Sequence, residues 1–297
     1  MDGIKYSRKE LIDVFNETID CIENGCYRVE GEKIDKLLAV RMGESLQDAL
    51  NVDLEDSCVV NINTYDRERE ETYICDVKVV NEDCLYVADR YEKEGFNVCL
   101  LNMACTYQPG GGVLKGSMAQ EEELFRRTTL PYNLYSLHPM GKDLGFETVE
   151  NCYPLTDKVI YTDLVEIFRE GADKGYAFME NTPLIDVISA AAVRKPVLVN
   201  GKLSKKDEEE MRKKIRVILG MPHDKGDDVL ILSAFGCGAY GNPPREIARL
   251  FKEEIIAMKA YTLYNHIVFA ILDDKNSNGN YAVFKEILET KDYNIND

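Results

Sequence analysis

No stretch of this 297-residue chain approaches the ~18–20 consecutive apolar residues that a membrane-crossing helix needs; the longest apolar run lies near "VLILSAFGCGA". No membrane association is expected. The first ten residues, "MDGIKYSRKE", are charged within a few positions and lack an apolar signal core, which points to a cytoplasmic protein. Histidine is scarce, with three residues set far apart at 138, 223 and 266. The nine cysteines, at 21, 26, 58, 75, 84, 99, 105, 152 and 237, are odd in number and form no C-x-x-C pair. A zinc site has little to build on, and several thiols sit inside apolar runs such as "NVCLLNMAC". Buried, reduced cysteines and no metal are the expectation. Positive charge is also short: 36 Lys and Arg face 53 Asp and Glu, a net charge of −17. That excludes a broad basic face gripping DNA or RNA. A phosphate-bearing ligand must then be held by backbone amides and helix N-termini rather than by lysines and arginines. There is no internal repeat, no low-complexity tract and no linker rich in Pro and Ser.

What is present suits a chain with a sizeable core: 45% hydrophobic and 30% charged residues. Leu11, Phe15, Ile19 and Ile22 recur at helical spacing, with Ser7 as N-cap and Gly25 closing the helix. "GESLQDALNVD" predicts a second short helix. Strands are expected at 58–65 and 72–80, then a helix that opens at Asn81 and stops at Gly95. The buried strand at 97–105 leads into a glycine loop, followed by a helix around 118–130 that ends at Pro131. A less regular region includes "VIYTDLVEIFRE". Beyond it, apolar strands at 184–193, 227–235 and 266–273 alternate with helices over 204–220, "PPREIARLFKEEIIAM" and "YAVFKEILET". Continuous apolar strands between helices imply a sheet covered on both faces, an α/β protein with three α/β/α layers. The economical division is a helical extension over 1–57 and one continuous globular unit over 58–297.

The stretch "QPGGGVLKGSMAQEEELFRRT", residues 108–128, places three bare glycines just ahead of three consecutive glutamates. Glycines leave backbone N–H groups open to a phosphate or sugar pressed against the chain. Ser117 and Gln120 have capping-box spacing, which makes Ser117 the expected N-cap. At about 100° per residue, Met118, Phe125 and Thr129 share an inward face, flanked within about 60° by Glu121 and Glu122. Glu123 points away toward Arg127 at i+4. Two carboxylates at a core boundary are costly unless paired, hydrogen-bonded or titrated. Favourable opposition to the helix dipole and a Glu122–Arg126 surface pair would also account for acids here. Burial beside other acids favours a protonated carboxyl and the helix dipole an ionised one. A carboxyl that keeps its proton can donate it to a leaving oxygen, as cleavage of a glycosidic bond requires.

A second glycine loop lies in "VLILSAFGCGAYGNPPREIARLF", where Gly236, Gly238 and Gly241 fit G-x-G-x-x-G between a strand and a helix. The dinucleotide-binding reading is weak. Pro243 and Pro244 delay the helix past the last glycine, no acid lies about 20 residues on at the end of a following strand, and only 56 residues remain. A loop that cradles phosphate at the carboxyl end of a buried strand fits better, with Tyr240 offering a ring to a ribose or base. The two loops could then embrace a diphosphate from both sides.

At these residues the sequence resembles the poly(ADP-ribose) glycohydrolase family, most closely its microbial type. The family's three glycines, six to eight residues and Gln-Glu-Glu are matched by Gly110-Gly111-Gly112, seven residues, and Gln120-Glu121-Glu122. "GCGAYGN" is similar to the family's G-C-G-A-F-G, with Tyr240 for phenylalanine. Asn102-Met103-Ala104-Cys105 stands where the family has N-F-A and a small polar residue. The resemblance runs through most of the chain from about residue 70. It implies a macrodomain-like fold with a mixed central sheet and a pocket for ADP-ribose or poly(ADP-ribose), free or on ADP-ribosylated proteins. It implies no metal and no cofactor. By position, Glu122 looks like the catalytic acid/base on the ribose–ribose bond, and Glu121 like its neighbour on the ribose hydroxyls. Asn102, Gly110, Gly111, Gly112, Val113 and Gln120 would shape the catalytic end. Gly236, Cys237, Gly238, Ala239, Tyr240 and Gly241 would hold diphosphate and the adjoining ribose. The alternatives within the same fold are an ADP-ribose reader without turnover and a hydrolase of mono-ADP-ribosyl groups or ADP-ribose esters.

Overall fold

The computed structural model describes residues 5–32, 35–38, 57–63, 75, 77–273, 277 and 279–289. The helix expected over "GESLQDALNVD" and part of the strand expected over 72–80 lie outside the described residues. The chain forms two compact units: residues 1–58, 104–155 and 162–185, and residues 59–103, 156–161 and 186–297.

The second unit carries most of a seven-stranded sheet. In chain order its strands are β3 (Ser57–Asn61), β4 (Val77–Val80), β5 (Val98–Met103), β6 (Lys158–Glu166), β7 (Leu184–Ala190), β10 (Val229–Leu232) and β11 (His266–Ala270). In space the order is β3-β6-β7-β5-β10-β11-β4. The pairings β7–β5, β5–β10, β10–β11 and β11–β4 are all parallel, with Val229 opposite both Val98 and His266. All four residues of β10 and the first five of β5 are buried. Successive side chains point to opposite faces, so both faces of the sheet are covered, as continuous apolar strands require.

The covering helices of this unit follow their sequence signals with small shifts. α2 (Cys84–Lys93) packs on β5 and β10. Its N-cap is Asp83, whose carboxylate accepts from the Leu85 and Tyr86 amides, and not Asn81. Asn81 instead accepts the Asp273 amide at 2.7 Å. α5 (Lys205–Lys225), capped by Ser204, continues five residues past Gly220. α6 (Pro244–Ala257) starts behind Pro243, and α7 (Asn280–Leu288) packs on α6 and β4. A two-stranded hairpin, β8 (Leu198–Val199) and β9 (Lys202–Leu203), precedes α5.

In the first unit, α1 (Arg8–Asn24) has the capping box of Ser7 and Glu10 and a left-handed Gly25 at its end. It buries Leu11, Phe15, Ile19 and Ile22, the stripe visible in the sequence. A small antiparallel pair, β1 (Cys26–Tyr27) and β2 (Lys36–Leu37), follows. α3 (Gln120–Arg127) and α4 (Leu130–Ser136) replace the single helix expected to end at Pro131. Thr128 turns extended and ends α3, while Pro131 sits in the first turn of α4, where its missing N–H costs nothing. β6 occupies part of the stretch read as irregular; its burial does not alternate cleanly and Leu164 has a left-handed backbone, so no strand period shows in the sequence. All nine cysteines are free thiols. No helix among the described residues is long and apolar enough to cross a membrane.

Candidate active site

The first glycine loop and the glutamate helix both lie in the first unit, and the helix starts later than its capping motif suggests. The N-cap is Ala119, which has no side chain to cap with. Ser117 is drawn into the loop: its amide donates to the Gly112 carbonyl at 3.1 Å, and its side chain fills the space a Cβ on Gly112 would take. Met118 is therefore outside the helix and 51% exposed, whereas Phe125 and Thr129 are fully buried.

Glu121 and Glu122 are both buried, and the loop amides answer for them. Glu121 Oε2 accepts from the Cys105 amide at 2.8 Å and Oε1 from the Gly110 amide at 3.1 Å. Glu122 Oε1 accepts from the Gly112 amide at 2.8 Å. The bare amides of Gly110 and Gly112 thus bind the protein's own carboxylates, a use the sequence reading did not anticipate. Gly111 lies against both acids: a Cβ there would stand 2.8 Å from Glu122 Oε1 and 3.0 Å from Glu121 Oε2, on a backbone with φ +52°. Only glycine fits that position without strain or displacement of a carboxylate. Amide donors and the helix N-terminus together offset the cost of burying two acids side by side.

The pair is not symmetric. Glu121 has an amide on each oxygen, so its orientation is set at both ends. Glu122 is held at Oε1 only, and its Oε2 takes no hydrogen bond from any described residue. A carboxyl fixed by one oxygen and open at the other can move a proton.

Glu123 does not stand in solvent: its side chain is 16% exposed, and Arg127 is buried too. Glu123 pairs with Arg126 at 2.9 Å and i+3, and the Tyr176 hydroxyl donates to it at 2.8 Å. Arg126 is fully buried, which rules out a Glu122–Arg126 surface pair. Its guanidinium also donates to the Leu11 carbonyl at 3.0 Å and the Ser117 carbonyl at 2.5 Å. One buried cation therefore ties α3 to α1 and to the end of the glycine loop. Arg127 is buried as well, with Nε 3.4 Å from the Arg169 carbonyl. Behind the pair, burial and the Glu121 charge push the phenols of Tyr135 and Tyr153 up from their ordinary value. Neither hydroxyl has a partner among the described residues.

The remaining first-loop residues fall as follows. Val113 is buried in the 3-10 turn at 113–115, with its amide on the Gly110 carbonyl at 2.9 Å. Gln120 is the half-buried first residue of α3. What the sequence reading missed is the supporting role of Cys105, Ser117 and Arg126, and Tyr176 altogether. The position of Arg126 on an arginine pair beside buried glutamates was the one available signal.

In the second unit, the loop at 236–241 follows β10. Gly236 is left-handed and pressed on its neighbours: a Cβ would meet Ala192 Cβ at 2.5 Å and Asn242 Nδ2 at 2.6 Å. Asn242 locks the turn from inside, donating to the Val193 and Gly236 carbonyls at 2.8 and 3.0 Å. Cys237 is buried, and burial pushes its thiol up. Gly238, Ala239 and Gly241 are exposed, and a Cβ on Gly238 or Gly241 would meet nothing within 4 Å. Tyr240 is half-buried, its carbonyl accepting from the Lys195 amide at 2.9 Å. Asn102, at the end of β5, is fully buried; its Nδ2 donates to Ser189 Oγ at 3.1 Å and its Oδ1 has no partner among the described residues.

Comparison with known proteins bears on the family and the fold. A family described as "Microbial-type PARG, catalytic domain" matches residues 16–170, just over half of the chain. No match was found among curated proteins. Among solved structures, the poly(ADP-ribose) glycohydrolase of Thermomonospora curvata is similar in fold. One structure of it has a TM-score of 0.73 at 21% identity, over 94% of this chain and 99% of that one. The form bound to the inhibitor ADP-HPD has a TM-score of 0.70 at 22% identity, with the same coverage. The Deinococcus radiodurans enzyme in complex with ADP-ribose aligns at 0.60 and 25% identity, over 84% of this chain and 92% of that one.

Proposed function

The chain belongs to the microbial-type poly(ADP-ribose) glycohydrolase family and is a hydrolase of that type, and from this premise we propose that Glu122 performs its proton transfers. The observation that carries the assignment is the asymmetry of the acid pair: Glu121 is anchored on both oxygens, Glu122 on one. As general acid, Glu122 gives a proton to the oxygen that leaves when the ribose–ribose O-glycosidic bond breaks. The bond's electron pair departs with that oxygen, and the sugar carbon becomes oxocarbenium-like. The resulting carboxylate then takes a proton from water as its oxygen attacks that carbon, which restores the acid and releases ADP-ribose. Glu121 holds a fixed acceptor for the ribose hydroxyls, and Gly111 keeps the two carboxylates from being pushed apart.

The loop at 236–241 is the proposed hold on the diphosphate and adjoining ribose. Its support is the open, exposed face of Gly238 and Gly241 and its place at the carboxyl end of a parallel strand, where α/β sheets bind ligands. Asn102 is the proposed substrate contact at the end of β5, and its support is the buried Oδ1 that has no partner among the described residues. Glu122→Gln keeps shape and removes the acid. Release of ADP-ribose from polymer should fall about 10²–10⁴-fold, with ADP-ribose affinity by calorimetry retained. A variant that turns over polymer at the parent rate would refute the role of Glu122. Retained release from polymer but none from single-unit conjugates separates the polymer enzyme from a mono-ADP-ribosyl hydrolase.

A further inference from the structure

The net charge of −17 conceals one local reversal. Residues 194–206, "RKPVLVNGKLSKK", hold five cations and no acid. Arg194, Lys195, Lys202, Lys205 and Lys206 are all exposed. Among the described residues none of the five enters an ion pair. Farther along α5, by contrast, Arg212 is tied to Glu208, Glu253 and Glu254. The first acid beyond the segment, Asp207, is turned inward to the hairpin base, accepting from the Val197 amide and the Ser204 hydroxyl at 2.8 Å each.

The same segment displays apolar surface. Val197, Leu198 and Val199 are 63%, 46% and 57% exposed on the β8–β9 hairpin. Asn200 and Gly201, both left-handed, form the two-residue turn that suits the twist of paired strands. At its root Lys195 is left-handed too, at φ +52°, a conformation that costs a non-glycine residue about 1 kcal/mol. Its amide bonds the carbonyl of Tyr240. The hairpin is thus joined by its backbone to the loop read above as the diphosphate hold.

Resting on that reading, we infer that the 194–206 hairpin is a second contact for the polymer, taking the phosphates and a base of an ADP-ribose unit beyond the one held at 236–241. Exposed cations match diphosphate, and the apolar strand offers a flat seat for adenine between them. A surface of a few charges beside a single-unit site suits a flexible polyanion more than a duplex, which the surrounding acids would repel.

The test uses the whole chain in the Glu122→Gln background, with free ADP-ribose, purified poly(ADP-ribose) of defined length and single-stranded RNA of equal phosphate number. The variant is Arg194→Gln/Lys202→Gln/Lys205→Gln/Lys206→Gln, all exposed positions. Polymer affinity should fall about 10- to 100-fold, and the slope of log K against log salt should flatten by about 2–3. ADP-ribose affinity should be unchanged. Val197→Ser/Leu198→Ser should weaken polymer alone as well. A parent that binds ADP-ribose, with polymer binding unmoved by the four substitutions, overturns the inference by itself. RNA bound as tightly as polymer, and lost in step with it, overturns it in favour of a nucleic-acid surface. A parent that binds neither ADP-ribose nor polymer removes the underlying reading, and the inference with it.

Discussion

The two glycine loops look alike in sequence and are used in opposite ways. At 110–112 every glycine is crowded by the protein itself: Phe125 lies against Gly110, both carboxylates against Gly111 and Ser117 against Gly112. Two of the loop's amides are already occupied by Glu121 and Glu122. At 236–241 only Gly236 is crowded, while Gly238 and Gly241 border open space. Absence of a side chain therefore serves internal fit in one loop and external access in the other. A glycine-rich loop is informative about ligands only once its neighbours are known.

The largest effect expected from breaking this contrast is Gly111→Ala. The methyl group meets two carboxylate oxygens on a left-handed backbone, so kcat on polymer should drop about 10²-fold or more and stability about 1–3 kcal/mol. A variant with parental kcat would show that the carboxylates do not need Gly111 where it stands. Next comes Gly238→Val, which should keep the melting temperature and kcat but raise KM about 10-fold, because the new side chain enters space open to ligand. Equal loss of stability in these two variants would erase the distinction between the loops.

A smaller effect should appear on the alkaline side. Tyr153 keeps its proton in the folded chain above its ordinary value of 10.0, from burial first and the Glu121 charge second. The unfolded phenol ionises near that pH, so its contribution is present below it and declines as pH rises beyond it. Denaturant melts of Tyr153→Phe should lose less stability than the parent between neutral pH and pH ~11. The smallest change is expected for Tyr240→Phe, about 2-fold in KM, since the ring offered to a ribose or base is kept.

Much of this was legible in the chain. The caps and stripe of α1, the buried strands β5 and β10 and the order of glycine loop and acids all follow from short-range rules. Ser117 misled because a capping box is a local motif, and packing against Gly112 won over it. The inward turn of Arg126 was invisible because its acceptors, the Leu11 and Ser117 carbonyls, are backbone atoms from other segments. The β8–β9 hairpin was overlooked although "VLVNGKL" carries an Asn-Gly turn between apolar residues, the strongest short hairpin signal there is. The asymmetry of Glu121 and Glu122 could not be read at all, since it depends on which amides lie within 3 Å.

Arg126 has a practical corollary for anyone shortening this protein. The family match begins at residue 16, in the middle of α1, yet the guanidinium leans on Leu11 and the Thr18 hydroxyl holds the Arg126 carbonyl at 2.6 Å. A version trimmed to residue 16 would retain Glu121, Glu122 and Glu123 but take away the Leu11 carbonyl that the buried guanidinium of Arg126 donates to. The leading helix packs directly against α3, which carries Glu121 and Glu122.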